Sequence, residues 1–222
     1  MDSTRSAGKA LPLLLYGVGG HARLVISTLV EMPEWSIAGV ISEHPLTSPA
    51  SVLGFPIMGD DGVLPDLLAS GVHHVHVCLG DSQQRALASQ RLRKMGFTLA
   101  TISHASAMRS PGNLVGDGSL IQAGVLLGAE SVAGEGCIFQ SFVSVGHGTR
   151  IGDYVHLAGG AITGGDCVIG SHTCVGMGAT LLPRLRIGQH VLVEPNTVVR
   201  EDVPDYAVVE GNPARVVVIK PH

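Results

Sequence analysis

A period of six dominates the second half of this chain. Cut into sixes from Asn113, the sequence stays in phase to Asp202, through fifteen hexads. The third place reads Val115, Ile121, Leu127, Ala133, Phe139, Val145, Ile151, Leu157, Thr163, Ile169, Val175, Leu181, Ile187, Val193 and Val199, and thirteen of these are large and apolar. The fourth place is glycine nine times: Gly116, Gly128, Gly134, Gly146, Gly152, Gly164, Gly170, Gly176 and Gly188. With 30 glycines in 222 residues, chance would place about two there, so the repeat is a signal. The first place is mostly small or β-branched, as at Ser119, Cys137, Thr149, Ala161 and Ala179. Such a period is neither helical nor that of a simple strand. It predicts short parallel strands joined by tight corners at the glycines, stacked into a solenoid whose coils bury their inward residues against each other. General chirality rules would favour a right-handed crossover.

The remaining length leaves room for a second compact domain. Hydrophobic residues make up 45% of the chain and charged ones 14%, so it buries a core and is not disordered. Aromatics at 4% suit a thin core of Val, Ile and Leu. A net charge of −4 with no basic stripe argues against a nucleic-acid partner. Apolar runs such as Ala10–Tyr16 are too short to span a bilayer, and Met1–Ala10 lacks the apolar core of a secretory signal. Cys78, Cys137, Cys167 and Cys174 show no metal spacing, which suits buried thiols in a reducing cytoplasm. His74 and His76 share a face of a strand-like run with no third ligand in view, so a structural role is expected there and no metal.

Ahead of the hexads, strand and helix alternate. Leu11–Gly17, Ser36–Ser42, His73–Leu79 and Phe97–Ile102 read as strands. His21–Glu31, Asp61–Ser70 and Ser82–Met95 read as helices, the last with Ser82 as N-cap and Gly96 as its stop. A turn-rich segment holds Pro45, Pro49, Gly54 and Pro56. The alternation predicts a small parallel α/β sheet, Rossmann-like, with its ligand site at the carboxyl ends of the strands. Candidates there are the Gly17-Val18-Gly19-Gly20-His21 turn, Ser42-Glu43 and Gly80-Asp81.

The glycine turn fits G-x-G-x-x-A between a strand and a helix. Glycines let the backbone approach a phosphate, and the helix start offers free N–H groups and a positive dipole end. Three readings follow: a nicotinamide dinucleotide with Glu43 on a ribose hydroxyl, a nucleoside diphosphate-sugar with its diphosphate on the turn, or a structural tight turn. About ninety residues make only half of a dinucleotide fold, and a solenoid follows, so the nucleotide-sugar is the favoured reading.

The hexads resemble those of the hexapeptide-repeat acyltransferases, in which three hexads form one triangular coil; five coils would result here. The two halves together resemble the bacterial sugar acetyltransferases of the PglD and NeuD kind. The resemblance covers residues 11–216 and rests on Gly17-Val18-Gly19-Gly20-His21, Gly80-Asp81, Val145-Gly146-His147, Ile151-Gly152-Asp153-Tyr154-Val155-His156 and Gly211-Asn212-Pro213-Ala214. It implies a Rossmann-like nucleotide-sugar-binding domain over 11–106 and a left-handed parallel β-helix over 107–216, between tails at 1–10 and 217–222. It implies a cytoplasmic homotrimer that uses acetyl-coenzyme A and no metal to acetylate the amino group of a nucleotide-linked amino-deoxy sugar. His147 matches the catalytic base. His156 and Met177 match positions that contact acetyl-coenzyme A, and Gly165 matches the glycine whose N–H faces the thioester carbonyl. Gly17, Gly19, Gly20, His21, Ser42, Glu43, Gly80 and Asp81 match the nucleotide-sugar pocket. Histidine suits proton removal from an attacking nitrogen near neutral pH.

One position departs from the family: an acid usually follows the catalytic histidine, and here Gly148 does. One coil of eighteen residues away stand Glu130 and Asp166, and stacked strands lie ~4.8 Å apart. Either carboxylate is therefore expected to orient His147, unless a backbone carbonyl or water does. The alternatives are O-acetylation as in sialic-acid-type enzymes and, given Gly148, a non-catalytic nucleotide-sugar-binding protein.

Overall fold

The computed structural model describes residues 10–44 and 50–219. Residues 1–9 of the tail expected at 1–10, Pro45 and Pro49 of the turn-rich segment, and residues 220–222 lie outside the described residues.

The N-terminal unit is a six-stranded sheet in the order β3-β4-β2-β1-β5-β6. Its strands are β1 (Leu11–Tyr16), β2 (Trp35–Ile41), β3 (Ser51–Val52), β4 (Phe55–Gly59), β5 (His74–Val77) and β6 (Thr98–Leu99). All pair in parallel except the short β3–β4 hairpin, which occupies part of the turn-rich segment. Burial on both sheet faces explains the unbroken leucine run of β1. Leu13 and Leu15 pack with helix α1 (Gly20–Leu29). Leu14 and Tyr16 face the other way, toward helices α2 (Leu64–Ala69) and α3 (Ser82–Met95). The cap of α3 is Asp81 rather than Ser82: its carboxylate accepts from the Gln84 N–H at 2.8 Å. Gly96, with φ 103°, ends that helix as its sequence predicts. His76 is buried with Nδ1 2.8 Å from the Ala100 carbonyl, and His74 meets the Trp35 ring edge-on, so both serve packing.

The hexads form a left-handed parallel β-helix of three sheets, and partners lie one coil of eighteen residues apart, as in Ile121 opposite Phe139. The first face carries His156–Leu157, the second Ser144–Val145 and the third Arg150–Ile151, each strand two residues long. The column takes up the chain early. Ile102, expected to finish the last strand of the N-terminal sheet, instead begins a strand Ile102–Ser103 that pairs with Leu120–Ile121 on the first face. At the far end Ala207–Glu210 joins that face and pairs antiparallel with Arg215–Ile219, so residues 217–219 are strand rather than tail.

Every third-place side chain is buried except Val115. The glycines divide into two sets with different causes. A Cβ on a fourth-place glycine would land on the next coil: on Gly116 it would lie 2.6 Å from the carbonyl carbon of Gly134. These glycines allow close stacking. The left-handed corners fall instead on the sixth place, from Gly118 (φ 70°) to Asn196 (φ 57°). Eight of those corners carry side chains, among them Glu130, Tyr154, Asp166 and His172, although that conformation costs a non-glycine residue about 1 kcal/mol.

The N-terminal unit seats on the first face. Leu120 and Ile138 point outward from it into the cluster that holds Leu13, Ile26 and Ile102.

Candidate active site

Residues at the strand ends and on α1 and α3 line two adjoining open cavities. One, of about 600 Å³, is lined by Gly19, Gly20, His21, Leu24, Glu43, Cys78, Leu79, Gly80 and Gln84. The other, of about 440 Å³, shares Glu43, Leu79 and Gln84 and adds Tyr16, His44, Leu87, Ala88 and Arg91. A Cβ on Gly19 or Gly20 would meet nothing within 4 Å. Their main chain therefore faces open space at the start of α1, where Gly19 is a cap without a side chain. That is the arrangement an anion needs. Gly17 does another job: with φ 119°, it brings β1 so close to β5 that a Cβ would lie 2.9 Å from the Cys78 carbonyl oxygen.

Two buried polar atoms at this cavity have no hydrogen-bond partner, Glu43 Oε2 and His21 Nε2. A third, His156 Nε2, lies behind them, its ring edge-on to His21 at 5.5 Å. Burial, and then the neighbouring His21 and Arg85, push the His156 pKa down to about 3. His21 is lowered by burial and by Arg85. Both rings are neutral near pH 7. Unpaired polar atoms in a buried setting are costly, and two of the three belong to residues that line the first cavity.

Ser42 and Asp81 are not lining residues. Ser42 is buried and its hydroxyl accepts from the His44 N–H at 3.3 Å, which secures the end of β2. Asp81 is occupied as the α3 cap.

His147 stands on the corner between the second and third faces, with 71% of its side chain exposed. Its ring lies against Gly165 of the next coil, where a Cβ would fall 2.5 Å from Nε2. Among the described residues the Gly165 N–H makes no main-chain hydrogen bond. Asp166 Oδ1 is 3.8 Å from His147 Nδ1, beyond the distance of a hydrogen bond. Gly148 explains its presence: a Cβ there would land on Asp166 Oδ1, so the missing side chain makes room for the carboxylate one coil away. Glu130 does not share this position. Its side chain folds over Gly112, whose Cβ would lie 3.2 Å from Glu130 Cγ.

The corner of His147 is the edge of the column opposite the first face, which carries His156 and the N-terminal unit. Met177 follows Cys174–Val175 and so sits at the corner between the first and second faces. One chain thus holds His21, Glu43 and His156 together, and His147, Gly165 and Asp166 together, on opposite sides.

The family model described as the PglD N-terminal domain matches residues 12–92. The solved structure of PerB from Caulobacter crescentus in complex with CoA and GDP-perosamine is 33% identical, with a TM-score of 0.87 over 92% of this chain and 96% of that one. This chain belongs to the hexapeptide-repeat sugar acetyltransferases. Among other members of these acetyltransferases, the acetyltransferase domain of PglB from Neisseria gonorrhoeae is 27% identical, with a TM-score of 0.85 over 93% of this chain and 99% of that one. The putative acetyltransferase YvoF of Bacillus subtilis is 44% identical over 46 residues, 21% of this chain. Serine acetyltransferase 2 of Arabidopsis thaliana is 33% identical over 109 residues, 48% of this chain. The matches span 27% and 31% of the length of those two curated relatives.

Sequence reasoning missed Gln84 and Leu79 in the first cavity and the cluster at the end of the second. There Tyr16 donates to Asp61 at 2.9 Å, and Arg91 bonds both. Burial and the Asp61 carboxylate push the Tyr16 pKa up to about 12. No periodicity marks these residues, because three separate elements bring them together. Among the described residues no group of His, Cys, Asp and Glu is placed to hold a metal, and no helix is long and apolar enough to cross a membrane.

Proposed function

We propose that this chain transfers acetyl from acetyl-coenzyme A to the amino group of a nucleotide-linked amino-deoxy sugar, with His147 as general base. One observation carries the reading. A glycine-floored cavity holds buried, unpartnered Glu43 and His21 atoms, and the same fold displays an exposed imidazole against the main chain of Gly165. In this reading the diphosphate rests on the Gly19–Gly20 turn, Glu43 accepts from a ribose hydroxyl, and His21 bonds phosphate or sugar. His147 accepts the proton that the amine sheds as its nitrogen bonds the thioester carbon. The carbon–sulfur bond breaks, and His147 returns the proton to the departing sulfur. A positioned base contributes about 10²–10⁴ in rate. The Gly165 N–H faces the carbonyl oxygen as it gains charge, and such a donor is worth about 10²–10³. Asp166, 3.8 Å away and not hydrogen-bonded to the ring, acts on the imidazole as a nearby carboxylate in place of an acid at 148.

Since His147 and the cavity lie on opposite sides of one chain, a second copy completes the site. Exposed Met108, Leu126 and Ile162 lie on the second face, with Ser144 between the last two, beside the His147 corner, which suits packing of columns into a trimer. His156 and Met177 then meet acetyl-coenzyme A where it runs past the cavity.

The test is thiol release from acetyl-coenzyme A with GDP-, UDP- and dTDP-linked amino sugars and their hydroxyl counterparts. Turnover with an amino sugar that is lost in His147→Ala, with folding and trimer unchanged, is expected. Full turnover in that variant, or turnover only with hydroxyl acceptors, overturns the proposal.

A further inference from the structure

Arg85 has no part in the chemistry above, yet it is 1% exposed. It lies in the first turn of α3, and its guanidinium donates to four main-chain carbonyls. Nε bonds Gly136 at 2.8 Å and Nη2 bonds Tyr154 at 2.8 Å, both on one corner of the column. Nη1 bonds Leu79 and Gly80, each at 2.9 Å, on the turn that walls the first cavity. Among the described residues no carboxylate pairs with it. Asp81, close in sequence, is spent on the Gln84 N–H.

Arginine is almost never fully buried without a counter-charge. The four carbonyls take four of its five N–H groups and supply partial negative charge only, so a net positive charge stays in a low-dielectric region beside the cavity. The fork also spans two units of the fold, because two of its bonds end on the column and two on the N-terminal turn.

We infer that Arg85 is a positioning residue of the nucleotide pocket: its fork fixes the Leu79–Gly80 turn against the column and its charge underlies the diphosphate. This rests on the nucleotide-sugar reading. The surrounding protonation agrees with it. Arg85, after burial, lowers the proton affinity of His21, and it acts with burial and His21 on His156. Both rings then offer neutral nitrogens to the ligand, and Arg85 supplies the fixed cation.

The experiment is calorimetric titration of the full chain with inorganic pyrophosphate, GDP and UDP, and with coenzyme A as control. Arg85→Gln removes the charge; Arg85→Lys keeps it and loses the fork. Pyrophosphate and both nucleoside diphosphates are expected to bind Arg85→Gln about tenfold or more weakly, with a shallower salt dependence, while coenzyme A affinity holds. A merely structural role would not split the ligands in this way. Wild-type diphosphate affinity in a folded Arg85→Gln overturns the inference and leaves the nucleotide-sugar reading standing. A wild-type chain that binds none of the three overturns both. Should Arg85→Gln not fold, Arg85→Lys decides: a selective loss of diphosphate affinity supports the inference, and unchanged affinity sinks it.

Discussion

Gly165→Ala separates the position of the base from the stability of the column. The added Cβ would lie 2.5 Å from Nε2, 2.6 Å from Cε1 and 3.0 Å from Cδ2 of His147. Carbon contacts settle near ~3.5 Å, so the ring must retreat by about 1 Å. Its side chain is 71% exposed and Asp166 stands 3.8 Å off without a hydrogen bond, so the ring swings away cheaply. The stability change should stay within about 0.5 kcal/mol, as at other surface positions. Catalysis is less tolerant: a shift of about 1 Å costs about 10² in rate. The expected result is a kcat reduced roughly 100-fold, with KM for both substrates and Tm near wild type. Gly146→Ala is the control. Its Cβ would strike the main chain of Gly164, which is packed and cannot swing, so it should cost about 1–3 kcal/mol. Thiol-release kinetics and thermal melts on both variants check this. Gly165→Ala retaining full kcat, or melting as early as Gly146→Ala, would refute the reasoning.

Other predictions follow from the same geometry. Asp166→Asn should lower kcat several-fold, and the exchange Gly148→Asp with Asp166→Gly should recover it, whereas Gly148→Asp alone should fail because both carboxylates claim one space; steady-state rates on the four proteins decide. Glu43→Gln should raise KM for the nucleotide sugar about tenfold with little change in kcat, since Glu43 lines the cavity with a buried, unpaired Oε2 and lies on the side of the chain away from His147. The protein should be acid-labile. His76 and His156 are held neutral in the fold at pKa values of about 4 and about 3, against 6.5 unfolded. The unfolded chain therefore binds more protons below pH 6.5, and stability, intact above that pH, falls as pH drops toward the folded values. At about pH 5.5 the two together should remove about 3 kcal/mol, measurable by urea melts at pH 7 and 5.5; equal stability at both would contradict it.

The fold was legible because a six-residue period is long, unbroken and tied to burial. Every third-place residue but Val115 went inside. What the period concealed was the reason for its glycines. A sequence shows where glycine recurs, not whether the backbone is left-handed there or a neighbouring coil is too close. The corners proved to lie at the sixth place, where Glu130, Phe142 and Arg184 accept positive φ. The early start of the column at Ile102 was hidden for a related reason: Thr98–Leu99 and Ile102–Ser103 each pair one apolar residue with one hydroxyl residue, and only pairing partners tell them apart.

The site was legible where one element carries the signal. Gly19, Gly20 and His21 follow a strand and open a helix, so their main chain had to face a strand end. Asp166 was reachable by counting one coil from Gly148, because the solenoid turns sequence distance into spatial distance. Glu130, equally spaced on the other side, shows the limit of such counting. The count fixes which residues stack but not which way a side chain leans, and Glu130 leans over Gly112. Arg85 was beyond reach altogether. In Ser82–Met95 it is one of three arginines, and Arg91 and Arg93 make partly exposed ion pairs with Asp61 and Glu135. What distinguishes Arg85 is that two carbonyls of the column, fifty-one and sixty-nine residues away, come within 2.8 Å of it. Among the described residues no carboxylate pairs with that charge, and the turn its fork holds walls the first cavity.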